Sequence, residues 1–424
     1  MGTVLRDVRT IEHHDLPVDI RIDGNVIASI SPSPVTPNND DDLIDGRGKL
    51  AVPGLVNAHG HAPMTLLRGI ADDVPLKTWL EEAIWPAEAK LSADDVYWGT
   101  LLAQMEMVRS GTTQFVDMYF HVDAIARAVT EGGLRAMLSY GMIADRLDRK
   151  GQEELRRTEQ LVRDWNGEAD GRIRVAVAPH AIYTCGTEIW RKAVDLATRY
   201  NVPIHTHVCE TTKEVDDWRS RHGCTPIAEM ERLGVFSVPT VAAHCVHVDG
   251  EDIGYLADNH VTVAHCPASN AKLGSGIAPL GQFFRNNVSV AIGTDGAASN
   301  NNLDMLRELR LAILLQKASR QDPTAMNAEM AFSLATTNGA AACGTNAGVL
   351  EPGALADLVL LDLERCPTMP VHRPLSAVVY ASDPASVTDV FIDGRSVLRN
   401  GEFLTLDEEE IRAHARTIGS RLIG

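Results

Sequence analysis

The chain has 424 residues, 45% of them hydrophobic, which suffices for a large core and for two or three ordinary domains or one large barrel with an appendage. A formal net charge of −18, with no block of Lys and Arg, argues against a nucleic-acid backbone as partner. No run approaches the roughly 18 apolar residues of a membrane span.

The opening residues, MGTVLRDVRTIEHHD, carry no apolar signal core. Seven cysteines without a CxxC read as reduced thiols, so a soluble cytoplasmic protein is expected. Next in the chain, VDIRIDGNVIASI (18–30) places Asp-Gly between β-rich flanks. That is a hairpin signal, because Asp-Gly suits the positive φ values of a tight primed turn. SPSPVTPNNDDD (31–42) reads as a loop.

From residue 53 the pattern changes. Short β-rich segments recur at 55–61, 112–120, 135–141, 172–180, 202–210, 240–247, 261–267 and 288–296. Helical patterns such as 95–111 and 302–318 lie between and after them. Eight strands alternating with helices predict a parallel (β/α)8 barrel. A second Ile-Asp-Gly, in VTDVFIDGRSVLRNGE (387–402), predicts another hairpin. The two hairpins are expected to meet as one small β-sandwich domain beside the barrel. The expected class is therefore α/β. Residues 1–52 would form the N-terminal part of the β domain, 53–345 the barrel, and 346–424 the C-terminal part of the β domain with a terminal helix.

His59 and His61, in PGLVNAHGHAPMT, project to the same face of an extended strand. Two neutral imidazoles so placed make sense around a shared metal ion; a surface pair near a turn is the plain alternative. In a barrel of this kind, sites are built where strands end at the C-terminal rim. Further candidates at such ends are His205, His207, His244, His247, His265 and Asp295. Asp295, in IGTDGAASN, suits a carboxylate ligand or proton acceptor, or else a helix N-cap. Glu210, three residues beyond His207, is placed to shuttle protons. No lysine ends the fourth strand, which favours one metal over a bridged pair.

Taken in order, PGLVNAHGHAPMTLLRGIADD, WLEEAIWPAEA, QMEMVRSGTTQFVDMYF, VCET, AAHCVH, HCPASNAKLGSGIAP and GTDGAASNNNLDM resemble the amidohydrolase superfamily. Within it they are similar to the 5-methylthioadenosine/S-adenosylhomocysteine deaminases and related 5′-deoxyadenosine deaminases. The resemblance covers essentially the whole chain. It implies hydrolytic deamination of an adenosine-type nucleoside to the inosine analogue plus ammonia, with one divalent metal per subunit. Nitrogen and oxygen ligands suit zinc or iron. The implied ligands are His59, His61, His207 and Asp295, although His205 lies on the same face as His207 and a swap is open.

Glu210 would protonate the purine ring nitrogen, while His244 and Asp295 orient and deprotonate the attacking water. Glu88, in WPAEA, would bind ribose hydroxyls, and His180 would hydrogen-bond the substrate; their plain readings are a solvated helix residue and a satisfied histidine. Trp85 would wall the pocket or sit in the core, and His247 and His265 fall to supporting or structural positions. One departure stands out: Tyr140 occupies the place of a family arginine, with Arg146 and Arg149 following. That puts an amino-acid-tailed substrate in doubt more than methylthioadenosine or 5′-deoxyadenosine.

The same scaffold also serves guanine deaminases and s-triazine hydrolases. A catalytically silent binding relative would be expected to have lost ligands, and none is missing here. Nucleic-acid deamination lacks its H-x-E…P-C-x-x-C signature. A homo-oligomer is compatible with amphipathic helices outside a barrel, but a barrel of this size does not require one.

Overall fold

The computed structural model describes residues 2–32 and 34–423; Met1, Gly424 and Ser33, the last within the expected 31–42 loop, lie outside them. The described strands form three sheets of four, eight and five strands. The first is built from β1 (Thr3–Val8), β2 (Val18–Asp23), β3 (Val26–Ser31) and β4 (Asp42–Asp45), in the order β3-β2-β1-β4. The next strand, β5 (Lys49–Pro53), leaves that sheet and pairs near the far end of the chain.

The eight β-rich segments between residues 55 and 296 each supply one barrel strand. They are β6 (Leu55–Asn57), β7 (Thr112–Tyr119), β8 (Arg135–Met142), β9 (Ile173–Pro179), β10 (Ile204–Val208), β11 (Thr240–His244), β12 (Thr262–His265) and β13 (Ser289–Ile292). All neighbours pair in parallel and in chain order. The first and last strands close the ring through Ala58 N–H to Ile292 O (2.9 Å) and Asp295 N–H to His59 O (3.0 Å). Every residue of β7, β10 and β11 is buried, as expected for strands covered by helices outside and packed side chains inside.

Local chemistry sets the boundaries. The helix expected from residue 95 begins at Ala93, because Ser92 and Asp95 close a reciprocal cap. The segment expected to run on to His247 stops at His244, where His244 and Cys245 take φ of +75° and +46° and turn the chain out of the ladder.

The last strands, β14 (Leu358–Asp362), β15 (Val387–Ile392), β16 (Arg395–Arg399) and β17 (Glu402–Phe403), form an antiparallel sheet with β5 in the order β17-β16-β15-β14-β5. Both Asp-Gly hairpins are present. The first closes at Asp23 and Val26 with Gly24 at φ +61°. The second closes at Ile392 and Arg395, with Asp393 and Gly394 at φ +55° and +74°, the left-handed pair a type I′ turn requires.

The terminal sheets face each other across one apolar layer containing Leu5, Ile20, Ile22 and Ile27 from one end of the chain and Leu358, Leu360 and Phe391 from the other. Chain ends some 350 residues apart thus share a core beside the barrel. Among the described residues, no helix is long and apolar enough to cross a membrane.

Candidate metal centre and active site

Polar side chains from four barrel strand ends converge at the C-terminal rim. His59 and His61 come after β6, His207 lies in β10, His244 ends β11, and Asp295 comes after β13. One potential ligand atom each from His59, His61 and His207 lies within a 4.8 Å group, as does one each from His59, His244 and Asp295. Asp295 Oδ1 stands 3.5 Å from His59 Nε2 and 3.3 Å from His61 Nε2.

Hydrogen bonds fix which atoms face the centre. His61 Nδ1 and His207 Nδ1 donate to the carbonyls of Met118 (2.6 Å) and His180 (2.8 Å). Their Nε2 atoms face each other at 3.4 Å. His59 Nε2 is buried without a hydrogen-bond partner. Nitrogen lone pairs aimed at one another across a buried gap, with a carboxylate oxygen beside them, suit a cation and little else, so the donor set fits the implied metal.

Electrostatics agree. Burial drives the His207 imidazole well below its ordinary range, and brings His59 to about 4 although Asp295 opposes it. Burial also works against charge on His61, but Asp295 and the Met118 carbonyl hold it up to about 9. Asp295 would be pushed up by burial, yet the nearby His59 and His61 imidazoles keep it well below the carboxylate range. A cation would take over the role of the proton on His61, so metal uptake must release protons.

Asp295 is not a helix cap. The short helix just after it, Ala297–Asn300, has Gly296 at its N-cap, and Asp295 Oδ1 accepts from the Gly296 N–H (2.8 Å). Its Oδ2 accepts from the hydroxyls of Ser269 (2.6 Å) and Ser299 (3.0 Å). Its φ of +62° is unusual for a residue with a side chain and marks a backbone held in place by its surroundings.

Beside the donor set, Glu210 Oε2 lies 3.8 Å from His244 Nε2. Burial raises the Glu210 pKa, with His244 opposing. His244 is oriented through Nδ1 by Asn270 Oδ1 (2.9 Å), and Ser275 donates to Glu210 (3.3 Å). The backbone N–H groups of Cys209 and Glu210 both donate to Glu214 (3.0 and 2.8 Å).

These residues open onto a cavity lined by His61, Glu88, His180, His207, Glu210, His244 and Asp295 together with apolar groups including Met64, Trp79 and Trp85. Glu88 is not a solvated helix residue. Its Oε1 and the neighbouring Tyr119 Oη are buried without closing a well-formed hydrogen bond, and burial brings Glu88 to about 6. His180, driven by burial to about 3, keeps Thr184 Oγ1 3.2 Å from its Nδ1. Trp85 is 39% exposed at the mouth rather than in the core.

The remaining candidates fall outside the donor set. His205 is fully buried beneath His59, with His205 Nε2 2.8 Å from His59 Nδ1. His247 bonds the Ser275 carbonyl (2.6 Å). His265 is buried with neither nitrogen partnered. Ser269, Asn270 and Ser299 sit inside the motifs that carry the resemblance, but nothing in their spacing distinguished them. Tyr119 likewise sits inside such a motif, and Glu214 carried no sequence signal beyond residue type.

A closed (β/α)8 barrel with a His/Asp donor centre at its rim, flanked by a buried acid, defines the class: a barrel hydrolase built to activate water. Residues 50–397 match the amidohydrolase family. The chain is 47% identical over 405 residues to the 5′-deoxyadenosine deaminase of Methanothermobacter thermautotrophicus, covering 96% of this chain and 95% of that protein. It is also 47% identical over 408 residues to the 5-methylthioadenosine/S-adenosylhomocysteine deaminase of Pelotomaculum thermopropionicum, covering 96% and 94%. Among solved structures, a zinc-bound adenosine deaminase from Xanthomonas campestris is 36% identical, covers 99% of this chain and 98% of that one, and superposes with a TM-score of 0.93. The chain belongs to the amidohydrolase family and is a hydrolase acting on C–N bonds.

Proposed function

We propose that this enzyme deaminates an adenosine-type nucleoside, in the cytoplasm, using one divalent metal, zinc or iron, held by His59, His61, His207 and Asp295. One juxtaposition supports this above all: a single cavity carries the donor set with Glu210 and His244 on one side, and a buried, unpaired Glu88–Tyr119 couple as well. The first suits hydrolysis at a ring carbon. The second suits a vicinal diol, since a carboxylate accepts two hydrogen bonds.

When bound, the cation would act as a Lewis acid that brings the pKa of water near neutrality. The chain's residues divide the remaining work. Asp295, kept ionised, takes a proton from the attacking water, with His244 orienting it. Glu210, whose carboxyl burial biases toward its protonated form with His244 opposing, donates to the ring nitrogen beside the carbon under attack. The proton held by Asp295 then passes to the amino group, the carbon–nitrogen bond breaks, ammonia leaves, and the remaining hydroxyl proton returns to Glu210 as the carbonyl forms. His180, neutral, holds the base by a hydrogen bond. Glu88 and Tyr119 hold the ribose.

The adjoining cavity, which shares Trp85, Glu88, Tyr119, Phe120 and Ile143 with the first, bears on the 5′ substituent. Tyr140 and Lys150 line it. Lys150 already donates to the Ile143 carbonyl (2.5 Å) and faces Glu154, while Arg146 and Arg149 are exposed. A distal carboxylate would find no free cation among these groups, so small neutral 5′ groups suit this pocket better than an amino-acid tail.

The test is loss of adenine absorbance with ammonia release from 5′-methylthioadenosine, 5′-deoxyadenosine, adenosine and S-adenosylhomocysteine. Turnover is expected for the first two, with weaker use of the last. Ammonia from none would overturn the substrate class, and a preference for S-adenosylhomocysteine would overturn the reading of the second pocket. Dialysis against a chelator should abolish activity, with one equivalent of metal restoring it.

A further inference from the structure

The three donor histidines are not oriented in the same way. His61 and His207 each anchor Nδ1 on a backbone carbonyl, which no substitution at the anchoring residue removes. His59 Nδ1 instead meets a side chain, His205 Nε2, at 2.8 Å. A contact between two imidazole nitrogens is ambiguous until the proton is assigned.

The next link assigns it. Ser139 Oγ lies 2.8 Å from the Asp117 carbonyl oxygen and 3.4 Å from His205 Nδ1. A hydroxyl has one proton to give, and a carbonyl can only accept. Ser139 therefore donates to Asp117 O and can only accept from His205, which places the His205 proton on Nδ1. His205 Nε2 is then bare and accepts the Nδ1–H of His59. His59 Nε2 is left as a lone pair, consistent with its being buried without a hydrogen-bond partner at the centre of the donor set. The reverse arrangement, with Nε2–H of His205 donating to His59, would either make Ser139 give up the shorter of its two contacts or leave a buried Nδ1 lone pair facing the Ser139 oxygen with no donor.

We propose that His205 is a positioning residue for the metal centre, not a ligand: the relay Asp117 carbonyl–Ser139–His205 fixes the His59 tautomer that presents Nε2 to a cation. The inference rests on the reading of His59 as a metal ligand. It resolves the swap left open in the sequence, because His205 turns Nε2 to His59 and Nδ1 to Ser139 and has no nitrogen left for the centre. It also explains a histidine with no exposed surface in the middle of a barrel strand.

The test measures Zn2+ affinity of metal-free protein by competition with a chromogenic chelator, for wild type, His205→Leu, His205→Gln and Ser139→Ala. Groups that orient a ligand typically contribute 10–100-fold to metal affinity. His205→Leu is expected to weaken Zn2+ binding by about that factor. His205→Gln, which can present an oxygen acceptor to His59 Nδ1–H, should recover most of the loss, and Ser139→Ala should weaken binding by a smaller factor. Wild-type affinity in His205→Leu, or equal losses in His205→Leu and His205→Gln, would overturn the proposal. If neither His205 variant folds, wild-type affinity in Ser139→Ala would overturn it. Failure of wild type itself to bind Zn2+ would instead refute the metal centre on which the inference rests.

Discussion

At the scale of single residues, the candidate site depends on groups whose environment sets their charge. Glu88 is brought to about 6, chiefly by burial, with Tyr119 and His61 opposing. Above that pH it is a carboxylate and can accept both hydroxyls of a diol; below it, one oxygen becomes a donor. The KM for a ribosyl substrate is therefore expected to rise as pH falls through 6, and Glu88→Gln should raise KM at pH 8 while flattening that dependence. Steady-state kinetics from pH 5 to 8 check this, and an unchanged pH profile in the variant would contradict it. Glu214 acts at one remove, since its two carboxylate oxygens hold the N–H groups of Cys209 and Glu210. Glutamine can accept at only one end, so Glu214→Gln should release the Glu210 backbone. With about 1.5–3 kcal/mol at stake in a charged hydrogen bond, kcat is expected to fall roughly tenfold or more, with KM little changed. A loss confined to KM would contradict that role. Neither residue shows how far the sequence could be read as clearly as His59 and His61 do. The histidine pair declared itself because alternation converts spacing into direction, although the strand expected over 55–61 ends at Asn57 and both histidines lie just beyond it. Glu214 and Ser269, by contrast, matter through turns at the rim, where φ turns positive at Cys209, His244 and Asp295. No periodicity runs through such turns.

At the scale of elements, the strands were legible and the segment that covers them was not. Alternation and apolar runs placed all eight barrel strands, and hydrogen-bonded caps account for the shifts of a few residues at helix ends. WLEEAIWPAEA was readable as a motif, but its shape comes from a proline. Pro86 has no N–H to give the carbonyl four residues earlier. The preceding turn, Trp79–Ile84, widens into a π-helix, with Trp85 N–H reaching the Leu80 carbonyl five residues back. The widened turn sets the rotation of the short helix Trp85–Glu88, and so the direction of Glu88. Relaxing one wide turn to an ordinary one would rotate the downstream residues by about 100°. Pro86→Ala is accordingly expected to raise KM several-fold for nucleosides with little effect on thermal stability. Kinetics alongside a melting curve would separate this from unfolding, and unchanged KM would show that the surroundings, not the proline, hold the turn.

At the scale of the whole molecule, the barrel and the sandwich are joined by charge as well as by apolar contact. Arg135, at the start of β8, donates to Asp357 just before β14 (2.6 Å) and to Asp393 in the β15–β16 turn (2.6 Å). All three are nearly or fully buried. No local pattern predicts such a cluster, because its members are brought together only once the C-terminal sheet has packed against the barrel. Truncating one partner of a buried ion pair typically costs about 3–5 kcal/mol, since the other charge is left without compensation. Arg135→Leu should destabilise by about that amount, and the loss should depend on pH. Burial already raises the Asp357 pKa despite the arginine, and removing the guanidinium would raise it further above the unfolded value of about 3.9. A carboxyl whose folded pKa lies above its unfolded one binds protons on folding, so its penalty grows as pH rises through that window. The gap in urea midpoint between Arg135→Leu and wild type is therefore expected to be wider at pH 8 than at pH 5. A gap independent of pH would mean that lost packing, not stranded carboxylates, accounts for the damage.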